Sequence, residues 1–294
     1  MKWAVVTDSS SDMAGLKEQI KEETNGHILF DTVALKIEAG DVEFIDDENL
    51  DTENMVDYLK SYQGKTGSAS PSPQEWYDIF EQADMCIAIT ITGAMSGSYR
   101  SACAAKDMIA EDYPDKKIYV MDSMSTGPEL MLLTRRAITY AMEDIDFDTM
   151  VKRMNNYKKM THLYFVLETM DNLIKNGRVN KFEAGVASML GIKVMGRASS
   201  EGTLEVVKKS RGKTKVYDKL IEDMLEYGYI GGNVIISHCH NEAMAGYLKL
   251  KIIEKYPESH VTIVNTGGLC SFYAQERGVL VGYERIEETV SSFV

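Results

Sequence analysis

Between Thr90 and Ser98 the chain places four hydroxyl side chains, Thr90, Thr92, Ser96 and Ser98, among two glycines, Gly93 and Gly97. Hydroxyls and free backbone N–H groups at the start of a helix are donors that converge on one spot, and glycines let the main chain come close to it. The chemistry such a spot offers is capture of an anion, either a carboxylate or a phosphate. The same residue types also cap helices and turn chains without any ligand. Similar stretches recur at Asp8-Ser9-Ser10-Ser11-Asp12 and at Asp122-Ser123-Met124-Ser125-Thr126-Gly127. In the first of them, Ser11 or Asp12 also serves as a plain N-cap reading for the helix that follows. Convergence of several hydroxyl-rich turns is less expected by chance than one such turn.

The elements around these turns are those of an α/β protein. Trp3–Asp8, Met85–Ile89 and Ile118–Met121 are short apolar runs of the kind buried on both faces of a parallel sheet. Each runs into a hydroxyl turn and then a helical stretch: Met13–Glu23, Tyr99–Met108 and Pro128–Met142. That alternation predicts a parallel sheet with crossover helices, and in such sheets ligands sit off the carboxyl ends of the strands. Between them the pattern predicts one strand over Ile28–Ile37, an acidic loop from Asp41 to Glu48, a helix over Glu53–Tyr62 after Asp51, and a helix over Gln74–Glu81. Gly64 to Pro73 reads as the most loop-like segment and carries two of the five prolines. Further on, the pattern predicts an acidic turn at Asp144–Asp148, a helix over Phe147–Lys158 and a strand over Leu163–Leu167. A tight turn at Asn176-Gly177-Arg178 precedes a helix over Phe182–Leu190. Two strands then flank a hairpin at Ser200-Glu201-Gly202, followed by a helix over Thr214–Tyr227. A strand over Asn233–Ser237, a helix over Asn241–Tyr256 and a strand over Val261–Asn265 follow. Thr266-Gly267-Gly268 turns into a last helical stretch, and Val279–Arg285 closes as a strand.

Composition narrows the classes of function. At 294 residues the chain suits two domains, and 44% hydrophobic with 26% charged residues is the balance of a folded protein. A formal net charge of −13 argues against a nucleic-acid backbone or an anionic membrane surface as the main partner. The one basic cluster is Lys208, Lys209, Arg211, Lys213 and Lys215. No apolar run reaches the ~18 residues of a membrane helix, and the apolar run at the N-terminus is too short for a signal peptide. Cys86, Cys103, Cys239 and Cys270 stand far apart, which reads as reduced thiols in a cytoplasmic protein. Gly64-Lys65-Thr66 and Gly212-Lys213-Thr214 end like a phosphate-binding P-loop, but Leu59 and Val207 stand where its first glycine belongs. Gly93-Ala94-Met95-Ser96-Gly97 is not a hydrolase elbow, since its serine is one place late. On a strand His238 and His240 share a face that excludes Cys239, so that trio makes a poor metal site. The 18 methionines suit a plain core and equally an adaptable apolar tunnel.

Taken together, Thr7 to Asp12, Ser68-Ala69-Ser70-Pro71-Ser72-Pro73 and Thr92 to Tyr99 resemble the DegV family of bacterial fatty-acid-binding proteins. In the second half, Leu173-Ile174-Lys175-Asn176-Gly177-Arg178-Val179, Ile192-Lys193, the Gly202 hairpin and Arg211-Gly212 follow in that family's order. The resemblance implies two α/β domains, 1–158 with a parallel Rossmann-like sheet and 159–294 closing an acyl tunnel, with the ligand buried between them. It implies a carrier without catalytic turnover or cofactor. Its ligand is a long-chain fatty acid, with the carboxylate near the surface, and its partner is a separate fatty acid kinase that forms the acyl phosphate for lipid synthesis. Ser96 then grips the carboxylate, Ser68 stands where the family usually has threonine, and Arg178 lies near the opening or the kinase contact. Ser68-Ala69-Ser70 replaces the usual Thr-Ser-Gln, and Asn265 replaces the usual histidine before a Thr-Gly-Pro-Gly turn. Asn265 can donate a hydrogen bond but carries no charge. The expected ligand-binding set is Ser68, Thr92, Ser96, Gly97, Arg178, Asn265 and Thr266, with no catalytic residue and no metal ligand. From the residues alone, an enzyme acting on a small phosphorylated substrate at the same loops remains the alternative, and a purely structural or regulatory domain a third reading.

Overall fold

In a computed structural model, residues 2–143, 145–179 and 191–285 are described. Among them run thirteen strands: β1 Trp3–Asp8, β2 Ile28–Val33, β3 Lys36–Ala39, β4 Val42–Ile45, β5 Thr66–Ala69, β6 Met85–Thr90 and β7 Lys117–Asp122 in the first half. The second half holds β8 Thr161–Leu167, β9 Ile192–Ala198, β10 Leu204–Arg211, β11 Asn233–His238, β12 His260–Asn265 and β13 Val279–Glu284. They form three sheets, ordered β2-β1-β6-β7, β4-β3-β5 and β10-β9-β8-β13-β11-β12.

The first sheet is parallel throughout, as the strand–turn–helix rhythm predicts. Because side chains alternate along a strand, Trp3 and Val5 of β1 join Ile87 and Ile89 of β6 on one face, while Ala4, Val6, Cys86 and Ala88 fill the other. Helices Pro73–Phe80 and Ser98–Asp112 cover the second face, and Gly127–Ala141 with Phe147–Lys158 cover the first. Small Ala and Cys side chains on the second face leave room for Trp76 and Phe80, both fully buried.

The six-stranded sheet is mixed. Only β11 and β12 run parallel within it, and β13 is antiparallel to both β11 and β8. Its alternation sorts two clusters: Tyr164, Val166, Val279, Val281 and Tyr283 face helices Lys215–Glu226 and Glu242–Lys255, whereas Leu163, Phe165, Leu167 and Leu280 face the first half. Helix Gly127–Ala141 is almost wholly buried where the two sheets meet. Its first turn presses on β13 so closely that a Cβ at Gly282 would fall 2.5 Å from the backbone of Pro128 and Glu129. No larger residue than glycine fits there.

The structure departs from the sequence expectations in the first 75 residues. Ile28–Ile37 is two strands in two different sheets, the acidic loop contains β4, and the Gly64–Pro73 segment contains β5. Of these, β3, β4 and β5 are four residues long and mixed in polarity, so they carry little periodic signal. The first helix begins late, at Lys17, after short 3-10 turns at Ser9–Ser11 and Ala14–Leu16. Ser11 is not its cap, and neither is Asp12, which closes the first turn in a left-handed conformation with φ 60°. By contrast Asp51 caps helix Thr52–Ser61, and Ser72 with Glu75 forms a capping box on Pro73–Phe80. The helix expected over Phe182–Leu190 lies outside the described residues, as does Asp144 of the acidic turn.

Candidate functional site

The carboxyl ends of β1, β6 and β7 open onto the Leu163–Leu280 face of the six-stranded sheet, and a cavity lies between them. It has about 840 Å³ of unfilled space, counted out through its mouth. Leu163, Phe165, Leu167, Leu204 and Leu280 wall it from the second half, and Leu35, Ile91 and Met95 from the first. Leu269, Cys270, Tyr273 and Ala274 enter it from helix Gly268–Ala274.

Polar groups gather where β5 passes the turn after β6. The Ser68 hydroxyl is 2.7 Å from the Tyr273 hydroxyl, and the Ser70 hydroxyl is 3.1 Å from that of Ser96. Ser68 and Ser70 lie two positions apart on one extended stretch, so the four hydroxyls form a single cluster. Arg178 lines the same cavity and is, among the described residues lining it, the only charged one. It belongs to the turn after helix Asp171–Lys175, whose Asn176 Oδ1 lies 3.9 Å from a Cβ built at Gly67. The turn therefore sits beside β5 and its serines.

Aspartate carboxylates, Asp8 buried and Asp122 half-buried, hold these loops in place. Asp8 accepts the Ile91 N–H at 2.8 Å and the Ser98 hydroxyl at 2.6 Å, which bracket the turn carrying Ser96. Asp122 accepts the Gly93 N–H at 3.1 Å and the Met124 N–H at 2.9 Å. Burial raises the Asp8 carboxyl above its ordinary range. It pushes Asp12 up to about 7 and Asp46 up to about 6, against the pull of their hydrogen bonds.

Of the seven expected ligand residues, Ser68, Thr92, Ser96 and Arg178 line the cavity. Thr92 does so with its proton committed: its hydroxyl donates to the Gly202 carbonyl at 2.8 Å, tying the β9–β10 hairpin to the first half. Gly202 has φ +75°, and a Cβ there would fall 2.3 Å from that hydroxyl. Gly97, Asn265 and Thr266 are not among the lining residues. Gly97 donates its N–H to the Ser70 hydroxyl at 3.0 Å. Thr266 is buried, sharing a 2.7 Å hydrogen bond with Ser271. Asn265 is exposed at the end of the edge strand β12, paired with His238. The turn after it donates its backbone N–H groups to Asp12 and Asp46.

Sequence reasoning missed Tyr273 and passed over Ser70. Ser70 stands two positions after Ser68 in the same loop-like segment. Tyr273 carried no signal beyond being an aromatic in a short apolar helix. Among the described residues no group of three His, Cys, Asp or Glu side chains is arranged to hold a metal ion, and no helix is long and apolar enough to cross a membrane.

A family model described as an uncharacterised protein of the DegV family matches residues 2–284. The chain belongs to the DegV family. A DegV domain-containing protein of Streptococcus pyogenes serotype M1 is 39% identical over 284 residues, covering 97% of this chain and all of that one. Among solved DegV-like structures, the Streptococcus pneumoniae fatty acid kinase (Fak) B3 protein loaded with linoleic acid is 36% identical, with a TM-score of 0.90 over 97% of this chain and 100% of its own. A DegV family protein from Eubacterium eligens loaded with heptadecanoic acid is 35% identical at the same TM-score and coverage.

Proposed function

We propose that this chain carries one long-chain fatty acid, its acyl chain along the leucine-lined wall and its carboxylate among Ser68, Ser70, Ser96 and Tyr273, near Arg178. One observation carries the reading: a cavity walled by apolar side chains has its hydroxyl cluster beside the single cation among its described lining residues. A small phosphorylated substrate would leave that apolar wall without a partner. Burying about 14 methylenes at ~0.8 kcal/mol each contributes roughly 11 kcal/mol gross. A hydrogen bond to a carboxylate adds about 1.5–3 kcal/mol. The wall therefore sets affinity, and the hydroxyls set which end stays at the mouth. The two relatives loaded with linoleic and heptadecanoic acid support the same ligand class.

The carrier has no turnover or cofactor of its own in this reading. It works in the cytoplasm as two halves, 1–158 and 159–294, and presents the carboxylate to a fatty acid kinase. Its four cysteines are all free thiols, which suits a reducing compartment. Extraction and mass spectrometry of protein purified from cells tests the ligand: an acid of roughly 14 to 18 carbons is expected, long enough for the chain to contribute roughly 10 kcal/mol or more gross. An empty cavity or a polar occupant overturns it.

A further inference from the structure

The hydroxyl pair Ser68–Tyr273 joins two elements far apart in sequence, the β4-β3-β5 sheet and helix Gly268–Ala274. A second tie joins the same two elements. Asp46 follows β4 directly and is anchored there by its own N–H, which donates to the Leu35 carbonyl at 2.9 Å. Its Oδ1 accepts the Gly268 N–H at 2.6 Å and its Oδ2 the Leu269 N–H at 2.9 Å. Asp46 touches nothing in the cavity, and the mechanism of ligand capture does not use it directly. Resting on the carrier reading above, we propose that Asp46 is a positioning residue for the head-group site: by fixing the start of the helix that bears Tyr273 against the sheet that bears Ser68, it makes fatty acid affinity depend on solution pH.

The argument is one of valence. An ionised carboxylate only accepts, so both oxygens of Asp46 can hold an N–H. A proton added to either one removes the negative charge and leaves that oxygen the weaker acceptor, so charge-assisted bonds to the two N–H groups become ordinary ones. Asp12 provides the contrast. Its Oδ1 accepts the Gly267 N–H at 2.8 Å, while no backbone N–H is held by its buried Oδ2. Asp12 can take a proton on Oδ2 and keep its bond. Facing Asp46 are Asp8 at the end of β1, Asp12 in the turn after it, Cys270 in the helix itself, and the Ser9 hydroxyl. Asp8 and Asp12 resist its ionisation and Ser9 supports it. Burial pushes it up to about 6, so its charge changes within a range that binding measurements reach.

The test measures binding of cis-parinaric acid and of its methyl ester to the wild type, Asp46→Asn, Asp12→Asn and Tyr273→Phe, at about pH 8 and about pH 5.5, either side of that midpoint. The fatty acid's own ionisation is common to all four proteins and cancels between them. Wild-type affinity for the acid should fall roughly threefold between the two pH values, since a loss of one charge-assisted bond, about tenfold in full, is only partly expressed half a pH unit below a midpoint of about 6. Asp46→Asn should bind the acid about tenfold more weakly at the higher pH and show little further change at the lower. Asp12→Asn removes a charge that resists ionisation of Asp46, so it should keep a fall of the same sign moved to lower pH. Tyr273→Phe, which leaves Asp46 intact, should flatten it. The ester should respond less than the acid in every case. An Asp46→Asn profile parallel to that of the wild type overturns the proposal, as does an ester that responds as strongly as the acid. A wild type that binds neither ligand overturns the carrier reading, and this inference with it.

Discussion

The two sides of the cavity are built by opposite means. On the first-half side, the polar groups come from the β5 stretch and from the turn at the end of a parallel strand, and hydrogen bonds with the buried Asp8 and the half-buried Asp122 hold that turn in shape. On the second-half side, the wall comes from the faces of antiparallel strands, where Leu163, Phe165 and Leu167 alternate with Tyr164 and Val166. A strand within a sheet spends its N–H and C=O groups on its neighbours, so it can offer a ligand only side chains. A turn has backbone donors and short hydroxyls to spare. The division teaches where each property of the protein resides: affinity in the strands, orientation in the turns.

The largest effect that would break this contrast lies in the wall. Phe165→Ala removes a buried ring and should cost about 3–5 kcal/mol of stability, read by chemical denaturation, and weaken acyl binding as well. A stability loss near zero would mean the wall is not packed. Ser96→Ala should do the reverse. It leaves the melting temperature nearly unchanged and weakens binding by roughly 1.5–3 kcal/mol, about ten- to hundred-fold. A large drop in melting temperature would make Ser96 part of the scaffold instead.

Asp12→Asn sharpens the role of the buried carboxylates. Burial raises Asp12 from the ordinary carboxylate range to about 7. The folded state therefore binds its proton more tightly than the unfolded chain does. That contribution to stability is fully present below about pH 4 and is lost as pH rises through about 7. The amide cannot ionise, so the variant should gain stability relative to wild type at about pH 8, by more than the ~1.4 kcal/mol that one pKa unit represents, and little at about pH 4. Equal differences at both pH values would show that Asp12 keeps its ordinary carboxylate range. The smallest effect is expected at Asn265. A histidine there would bring a titration near pH 6.5 if the position met the head group. The side chain is exposed at a sheet edge and is not among the residues lining the cavity, so Asn265→His should leave the pH profile of fatty acid binding as in the wild type. A new dependence around that pH would return Asn265 to the site.

The parallel core was legible in the residues alone. Apolar runs of five or six residues ending in Ser, Gly and Asp have one economical arrangement, and β1, β6 and β7 adopt it with their hydroxyl turns on the same edge. Ser96 followed from that edge. The four-residue strands β3, β4 and β5 did not, since each is too short and too mixed to show a period, and their pairing joins Lys36 to both Ile45 and Ala69. Local pattern put Asn265 in a turn after a strand, but the direction in which that turn faces depends on Asp12 and Asp46, each more than 200 positions away. Tyr273 meets Ser68 across 205 positions. Residue types and spacing by themselves determined which turns could hold an anion. Only the docking of the six-stranded sheet and helix Gly268–Ala274 onto those turns decided which hydroxyls share one site, because contacts at that separation are set by where whole elements pack and leave no trace in local periodicity.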